Sequence, residues 1–372
     1  MDHVQTVVVG AGVIGLAIAR HLAVRGHDVL ILEAENAIGQ HTSSRNSQVI
    51  HAGIYYPKGT DQQRLCLRGK EMLYDYCASR QVGHARCGKL TVAPAVGRVA
   101  ELDELVRRGA ANDVDDLYVI SADEVREREP EVACAGAMVS PSSGIVDAPG
   151  LMLSLLGEAE SAGAMLALNA PFRSARREGE GFRLEVGGDE FEISCSNLIN
   201  AAALGAWGVA RGIADVEAHS IPTCNLAKGS YFSIAGTSPF NALIYPMPLV
   251  GSLGVHSVQD LGGGVRFGPN MEWVDAVDYS VDASQTAEFE TAIRAYWPGL
   301  ADGALQPESA GVRPRIWGPG MEKLEFVFQG QDQHGVPGLV QLFGFESPGL
   351  TACLAIAEHV GQMIEHKEGH KK

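Results

Sequence analysis

Val7-Val8-Val9-Gly10-Ala11-Gly12-Val13-Ile14-Gly15 is the stretch whose reading decides the fold. A valine run makes a buried strand, and Gly10, Gly12 and Gly15 follow it with the G-x-G-x-x-G spacing of a dinucleotide-binding turn. Gly10 permits the tight turn, Gly12 leaves no side chain between backbone and pyrophosphate, and Gly15 lets the next helix pack against the strand. That helix, expected over 13–25 and opening on Val13 and Ile14, aims its free N–H groups and positive dipole end at the phosphates. A second strand over 28–32 delivers Glu33 and Ala34, with the carboxylate placed to accept from a ribose 2′-OH. The strand before the glycines and the acid after them give the motif its specificity; the glycine pattern alone has little.

The chain has 372 residues, enough for two domains with buried cores. Its 29 Lys and Arg against 45 Asp and Glu give a formal charge of −16. That sign argues against nucleic acid or an anionic membrane as the main partner. An anionic substrate would have to be met by a few placed cations. The seven cysteines are odd in number and widely spaced, without C-x-x-C, so neither a disulfide framework nor a metal site is expected. The apolar run 7–19 contains the phosphate loop and has no basic flank, which excludes a signal peptide. No segment is long and apolar enough to span a bilayer. The expected location is the cytoplasm, with attachment to the inner membrane face as its only membrane association.

Beyond the first βαβ start, a polar loop holds Thr42, Ser43, Ser44, Arg45, Asn46 and Ser47, suited to phosphate or a polar ring. Helical periodicity covers 62–79, 96–111, 149–162 and 284–296. A capping box at Ser121 and Glu124 starts another helix, which Pro130 stops. Short strands are expected at 89–93, 165–168, 182–186, 190–194, 229–234, 242–245 and 254–257. An apolar strand at 197–200 leads into the small-residue turn Ala201-Ala202-Ala203. A last buried strand delivers Glu346-Ser347-Pro348-Gly349-Leu350-Thr351 and a helix over 352–363, followed by a polar tail over 365–372 expected to fray. Such a helix end stabilises negative charge, which a reduced flavin carries at its N1–C2=O edge. Dinucleotide-fold character thus appears at both ends of the chain. That layout is more typical of FAD enzymes than of NAD dehydrogenases.

The segment Ser43-Ser44-Arg45-Asn46-Ser47-Gln48-Val49-Ile50-His51-Ala52-Gly53-Ile54-Tyr55-Tyr56 resembles the L-2-hydroxyglutarate dehydrogenases and oxidases of the FAD-dependent glycine/D-amino-acid oxidase-like superfamily. Gly144-Ile145-Val146-Asp147, Tyr245-Pro246, Gly254-Val255-His256, Gly311-Val312-Arg313-Pro314 and Gly344-Phe345-Glu346-Ser347-Pro348-Gly349 extend the resemblance over nearly the whole chain. It implies bound FAD, oxidation of L-2-hydroxyglutarate to 2-oxoglutarate, and a Rossmann-like α/β domain interleaved with an α+β substrate domain of mixed and antiparallel sheet. The expected FAD-binding domain comprises 1–88, 142–215 and 309–372, and the substrate domain 89–141 and 216–308. The sequence departs from the family at Lys228, where relatives carry Arg, at Ala203, where the turn carries Gly, and at Phe345, where Ile is usual.

Oxidising a 2-hydroxy acid removes a hydride from C2 and a proton from a very weakly acidic hydroxyl, so a base must lie within hydrogen-bond reach. His51 and His256 are the candidates, each weighed against a structural histidine merely satisfied in place. Arg313 is the expected carboxylate clamp, or alternatively an interdomain ion pair or a cofactor contact. Lys228, Tyr231, Tyr245 and Tyr56 are expected around the substrate. Gly10, Gly12, Val13, Ile14, Gly15, Glu33, Ala34, residues 42–47, Ala201, Ala202 and residues 346–351 are expected around FAD. The electron acceptor is dioxygen, a quinone or an electron-transfer protein. Competing readings are an amine or amino-acid oxidase of the glycine or sarcosine oxidase kind, and a flavin-binding protein without catalysis.

Overall fold

The computed structural model describes residues 2–188, 191–247 and 254–369. Its largest sheet has eight strands. Asp2–Val9 lies between two parallel neighbours, Val29–Leu32 on one side and Phe191–Asn200 on the other, so that Val9, Leu32 and Asn200 end together. Leu339–Phe343 continues the parallel set beside Asn200. The carboxyl ends of strands from the beginning, middle and end of the chain therefore meet at one edge, where open α/β sheets bind ligands.

The first helix, Val13–Ala23, is buried nearly all round because the last helix, Gly349–Gly369, and Ala148–Ser161 both pack on it. A Cβ at Gly15 would run into the Gly10 carbonyl, so glycine alone permits this helix to sit so close to its own turn. Asp61–Arg80 covers the other side of the last helix.

Two further sheets form the second body. Asn225–Ser233 pairs antiparallel with Gln306–Arg315 over its length, in a five-stranded sheet. The expected division at 308/309 therefore falls inside a strand. Lys89–Ala93 lies between Leu243–Pro246, which is parallel to it, and Gly136–Ser140, which is antiparallel, in a four-stranded sheet. Leu90, Val92 and Ile244 point from this sheet into a core shared with Phe232, Phe267 and Phe289.

Several elements differ from expectation. The stretches at 190–194 and 197–200 are one strand, Phe191–Asn200, because nothing between Ser194 and Asn197 interrupts it; residue 190 lies outside the described residues. The last helix starts at Gly349, three residues early, with the Ala352 N–H donating to the Pro348 carbonyl at 2.9 Å. It runs to Gly369 through the stretch expected to fray, of which 370–372 lie outside the described residues. The helices expected at 96 and 284 each begin with a 3-10 turn, Val96–Arg98 and Ala283–Gln285. The Ser121–Glu124 capping box is present as read.

Candidate active site

Three adjoining clefts run along the edge where the parallel strands end. The first holds about 1030 Å³ of empty space between Gly10, Gly12, Glu33, Ala34, Thr42, Ser43, Ala201 and Ala202. At its floor the Glu33 carboxylate accepts from the Ala11 N–H at 2.7 Å and the Glu35 N–H at 3.0 Å. The second, with about 1010 Å³, shares Gly12, Thr42, Ser43 and Ala201 with the first. Val13, Ile14, Arg45, Asn46, Ser47, His51, Tyr231, Arg313, Glu346, Ser347, Pro348, Gly349 and Leu350 are among its other walls. The third, with about 1950 Å³, shares Ser47, His51, Arg313, Glu346 and Ser347 with the second and adds Tyr55, Tyr56, Tyr245 and His256.

Strand alternation explains which side chains arrive there. Gly229 and Tyr231 on one strand, and Gly311 and Arg313 on its antiparallel partner, share one face, and all four line the second cleft. Lys228 has the opposite parity. Its ammonium is bound to Asp278 at 2.5 Å, with Ser280 beyond, so it does not reach the clefts where a substrate clamp was expected.

Three other expected cofactor contacts are absent from the clefts for local reasons. Gly15 is packed against the Gly10 turn. The Ser44 hydroxyl donates to the Gly39 carbonyl within its own loop. The Thr351 hydroxyl donates to the Val49 carbonyl at 3.2 Å and accepts the His51 N–H at 3.0 Å, so it fixes the histidine's backbone instead. Asn46 lines the second cleft but spends its amide donors on the carbonyls of Thr42 and Ser43, which shapes the loop. Ala203 takes a left-handed φ of 48°, a conformation in which the family's glycine would be unstrained.

His51 Nε2 lies 3.2 Å from the Ser347 hydroxyl, which lies 3.3 Å from the Tyr56 hydroxyl. Burial pushes the His51 imidazole down to about 3, and the charge of Lys89 adds to the effect. His256 is likewise pushed down to about 3, chiefly by burial, with His51, Lys89 and Arg313 contributing. Its Nδ1 is 3.1 Å from the Gly254 carbonyl, which only accepts, so Nδ1 carries the proton and Nε2 keeps a lone pair. Its ring stacks on Tyr245, centroid to centroid 3.8 Å. Both histidines are therefore neutral near pH 7, the state a proton acceptor requires. The Tyr231 hydroxyl is held above its ordinary range by burial, partly offset by the Arg313 and Arg266 guanidinium groups.

Glu346 was expected at the cofactor and does line the second cleft, but its carboxylate also organises the cations. Arg315 holds it at 2.8 Å, whereas Arg313 stands 3.8 Å away. Arg313 is thus left with most of its donor fork unengaged by Glu346. Two residues escaped the sequence reading: Arg315, which the alternation with Arg313 could have suggested, and Lys89. The Lys89 ammonium sits 4.7 Å and 4.9 Å from the ring centroids of Tyr55 and Tyr245.

The first two clefts together suit one long dinucleotide. A Cβ at Gly12 would come within 2.9 Å of the Ser43 hydroxyl, so the glycine keeps the passage between them open. Helix N-termini from the two ends of the chain, at Val13 and Gly349, border the second cleft. The Arg45 Nε there is buried without a hydrogen-bond partner among the described residues. This cradle, opening onto a chamber with neutral histidines and an available guanidinium, defines a flavin-dependent oxidoreductase.

Comparison with known proteins agrees. The family described as FAD dependent oxidoreductase matches residues 5–363, and the chain belongs to it. It is 40% identical to the mitochondrial L-2-hydroxyglutarate dehydrogenase of Arabidopsis thaliana, over 96% of this chain and 83% of that protein. It is 28% identical to the L-2-hydroxyglutarate dehydrogenase of Escherichia coli strain K12, over 96% of this chain and 92% of that protein. Among solved structures, the FAD-bound L-alpha-glycerophosphate oxidase of Mycoplasma pneumoniae superposes with a TM-score of 0.88 at 22% identity, covering 98% of this chain and 95% of that one. Glycine oxidase from Geobacillus kaustophilus gives 0.83 at 19% identity, covering 98% and 95%. Likeness at that identity speaks for the fold alone.

Proposed function

We propose that this chain oxidises L-2-hydroxyglutarate to 2-oxoglutarate. The observation that carries the reading is one chamber, continuous with the dinucleotide cleft, lined by the available Arg313 guanidinium and by the neutral imidazoles of His51 and His256. Its similarity to L-2-hydroxyglutarate dehydrogenases along nearly its whole length supports the substrate. FAD, when bound in the cradle, supplies the acceptor for the hydride leaving C2. Arg313 grips the C1 carboxylate with its planar fork and fixes the orientation of C2. The His51 imidazole takes the hydroxyl proton; it is preferred to His256 because it borders both the cofactor cleft and the chamber. Ser347 and Tyr56 hold that ring, and Thr351 holds its backbone.

The cofactor cradle in this reading is residues 10, 12–14, 33–34, 42–43, 45–47, 201–202 and 346–350, and the substrate domain centres on the four- and five-stranded sheets. The electrons leave to dioxygen, a quinone or an electron-transfer protein. Free cysteines throughout support a reducing, cytoplasmic setting. No helix among the described residues is long and apolar enough to cross a membrane.

The test is anaerobic mixing of the FAD-loaded protein with a panel of chiral 2-hydroxy acids and amino acids while flavin absorbance is followed. L-2-Hydroxyglutarate should bleach the flavin fastest and release 2-oxoglutarate. Faster bleaching by glycine, sarcosine or another amino acid, with imine-derived ammonia or formaldehyde as product, would overturn the assignment.

A further inference from the structure

A substrate with two carboxylates needs two cations, because a carboxylate drawn into a chamber must be paired there. Arg313 serves one. The other cations bordering the third cleft are Arg315, Arg108 and Lys323. Arg315 is committed to Glu346 at 2.8 Å and stacks on Trp317. Arg108 and Lys323 are exposed, and Arg108 donates to the Tyr55 carbonyl at 2.7 Å.

Lys89 is different. It is 2% exposed, and its ammonium makes no hydrogen bond or ion pair among the described residues. Its ammonium rests instead against the rings of Tyr55 and Tyr245, both of which wall the third cleft. Aromatic faces stabilise a cation but leave its three N–H donors without acceptors. A buried ammonium in that state is prepared for an anion that arrives from outside the protein.

The fold places it directly behind those two walls, and Lys89 itself lines none of the three clefts. Along Lys89–Ala93, Leu90 and Val92 enter the hydrophobic core, so Lys89 and Thr91 face the other way. The Thr91 hydroxyl lies 3.2 Å from that of Tyr55, and the parallel neighbour places Tyr245 beside Thr91 on the same face. Its charge acts on both His51 and His256.

We propose that Lys89 binds the substrate carboxylate remote from the reacting hydroxyl, so that Arg313 and Lys89 together select a dicarboxylate. This assignment rests on the 2-hydroxy-acid reading of the site. It is tested with the full-length, FAD-loaded protein and Lys89→Met, using L-2-hydroxyglutarate and its 5-amide, with anaerobic flavin reduction as the readout. The wild type should lose roughly 30- to 4000-fold in efficiency on the amide, the range expected when one partner of a buried charge pair is removed. Lys89→Met should lose a similar factor on the diacid and barely distinguish the two substrates, while Lys89→Arg keeps a preference for the diacid.

An equal slowing of both substrates in Lys89→Met, or wild-type discrimination retained in it, overturns the proposal. Should Lys89→Met fail to hold FAD, glutarate and its monoamide are titrated into the wild type and Lys89→Arg, and binding is read from the flavin spectrum. Equal binding of the two by the wild type overturns the proposal, and preference for glutarate in both proteins supports it. Flavin reduced by an amino acid and by neither hydroxy acid would instead overturn the functional reading itself.

Discussion

Replacing Arg313 by Ala removes the group on which substrate orientation depends, and the structure sets the size of the effect. Glu346 stays paired with Arg315 at 2.8 Å, so the substitution strands no carboxylate and the loss belongs to the substrate. A guanidinium fork gives a carboxylate two charge-assisted hydrogen bonds of roughly 1.5–3 kcal/mol each, or about 3–6 kcal/mol together. At about 1.4 kcal/mol per factor of ten, the fall in kcat/KM is roughly 10²- to 10⁴-fold. Arg313→Lys keeps the charge but loses the fork, and should recover only part of it. The assay is steady-state oxidation of L-2-hydroxyglutarate, with flavin content measured in parallel from the ratio of flavin to protein absorbance. Retained flavin with a raised KM is the expected result. Flavin lost in proportion to activity, with the loaded fraction turning over normally, would refute the reasoning and make Arg313 a cofactor residue.

His51→Gln should lower kcat by roughly 10²- to 10⁴-fold, the usual contribution of a positioned base, without loss of flavin; unchanged kcat would shift the role to His256. In the wild type, His51 shares its surroundings with Lys89, His256, Arg313, Glu346 and Tyr56, and its pKa near 3 keeps the base form present through the neutral range. The acidic limb of kcat/KM therefore lies well below pH 6.5, and a limb at that ordinary histidine value would contradict the burial argument. The same depression affects stability: below about pH 6.5 the unfolded chain takes up protons that folded His51 and His256 refuse, so stability falls as pH drops toward 3, by up to about 1.4 kcal/mol per histidine per pH unit. Thermal unfolding at a series of pH values checks this. Lys228→Met should lower Tm by breaking the contact with Asp278 and leave KM for L-2-hydroxyglutarate unchanged; a raised KM would return Lys228 to the substrate.

The parts of this site that were legible in the sequence are those whose signal is local. Gly10, Gly12 and Glu33 declare themselves through spacing along one βαβ start, and the elements around them fall where periodicity puts them. The strand Gln306–Arg315 was harder to read because Pro307 and Pro314 interrupt its pattern. They are tolerated because, among the described residues, this strand's one ladder is with Asn225–Ser233, so its other edge does not need their missing N–H groups. Lys89 was invisible for a different reason: Lys-Leu-Thr-Val-Ala reads as an ordinary alternating strand, and Tyr55 and Tyr245 reach its ammonium only through tertiary structure. Lys228 shows the converse. It lies three residues from Tyr231 and stands where relatives carry Arg, yet an odd separation on a strand sends the two side chains to opposite faces. Tyr231 goes to the cofactor cleft and Lys228 to Asp278. Parity, applied to Lys228 and Lys89 alike, moves the second cation of the site from the five-stranded sheet to the four-stranded one, so that a dianion would be held between the two sheets and not along one.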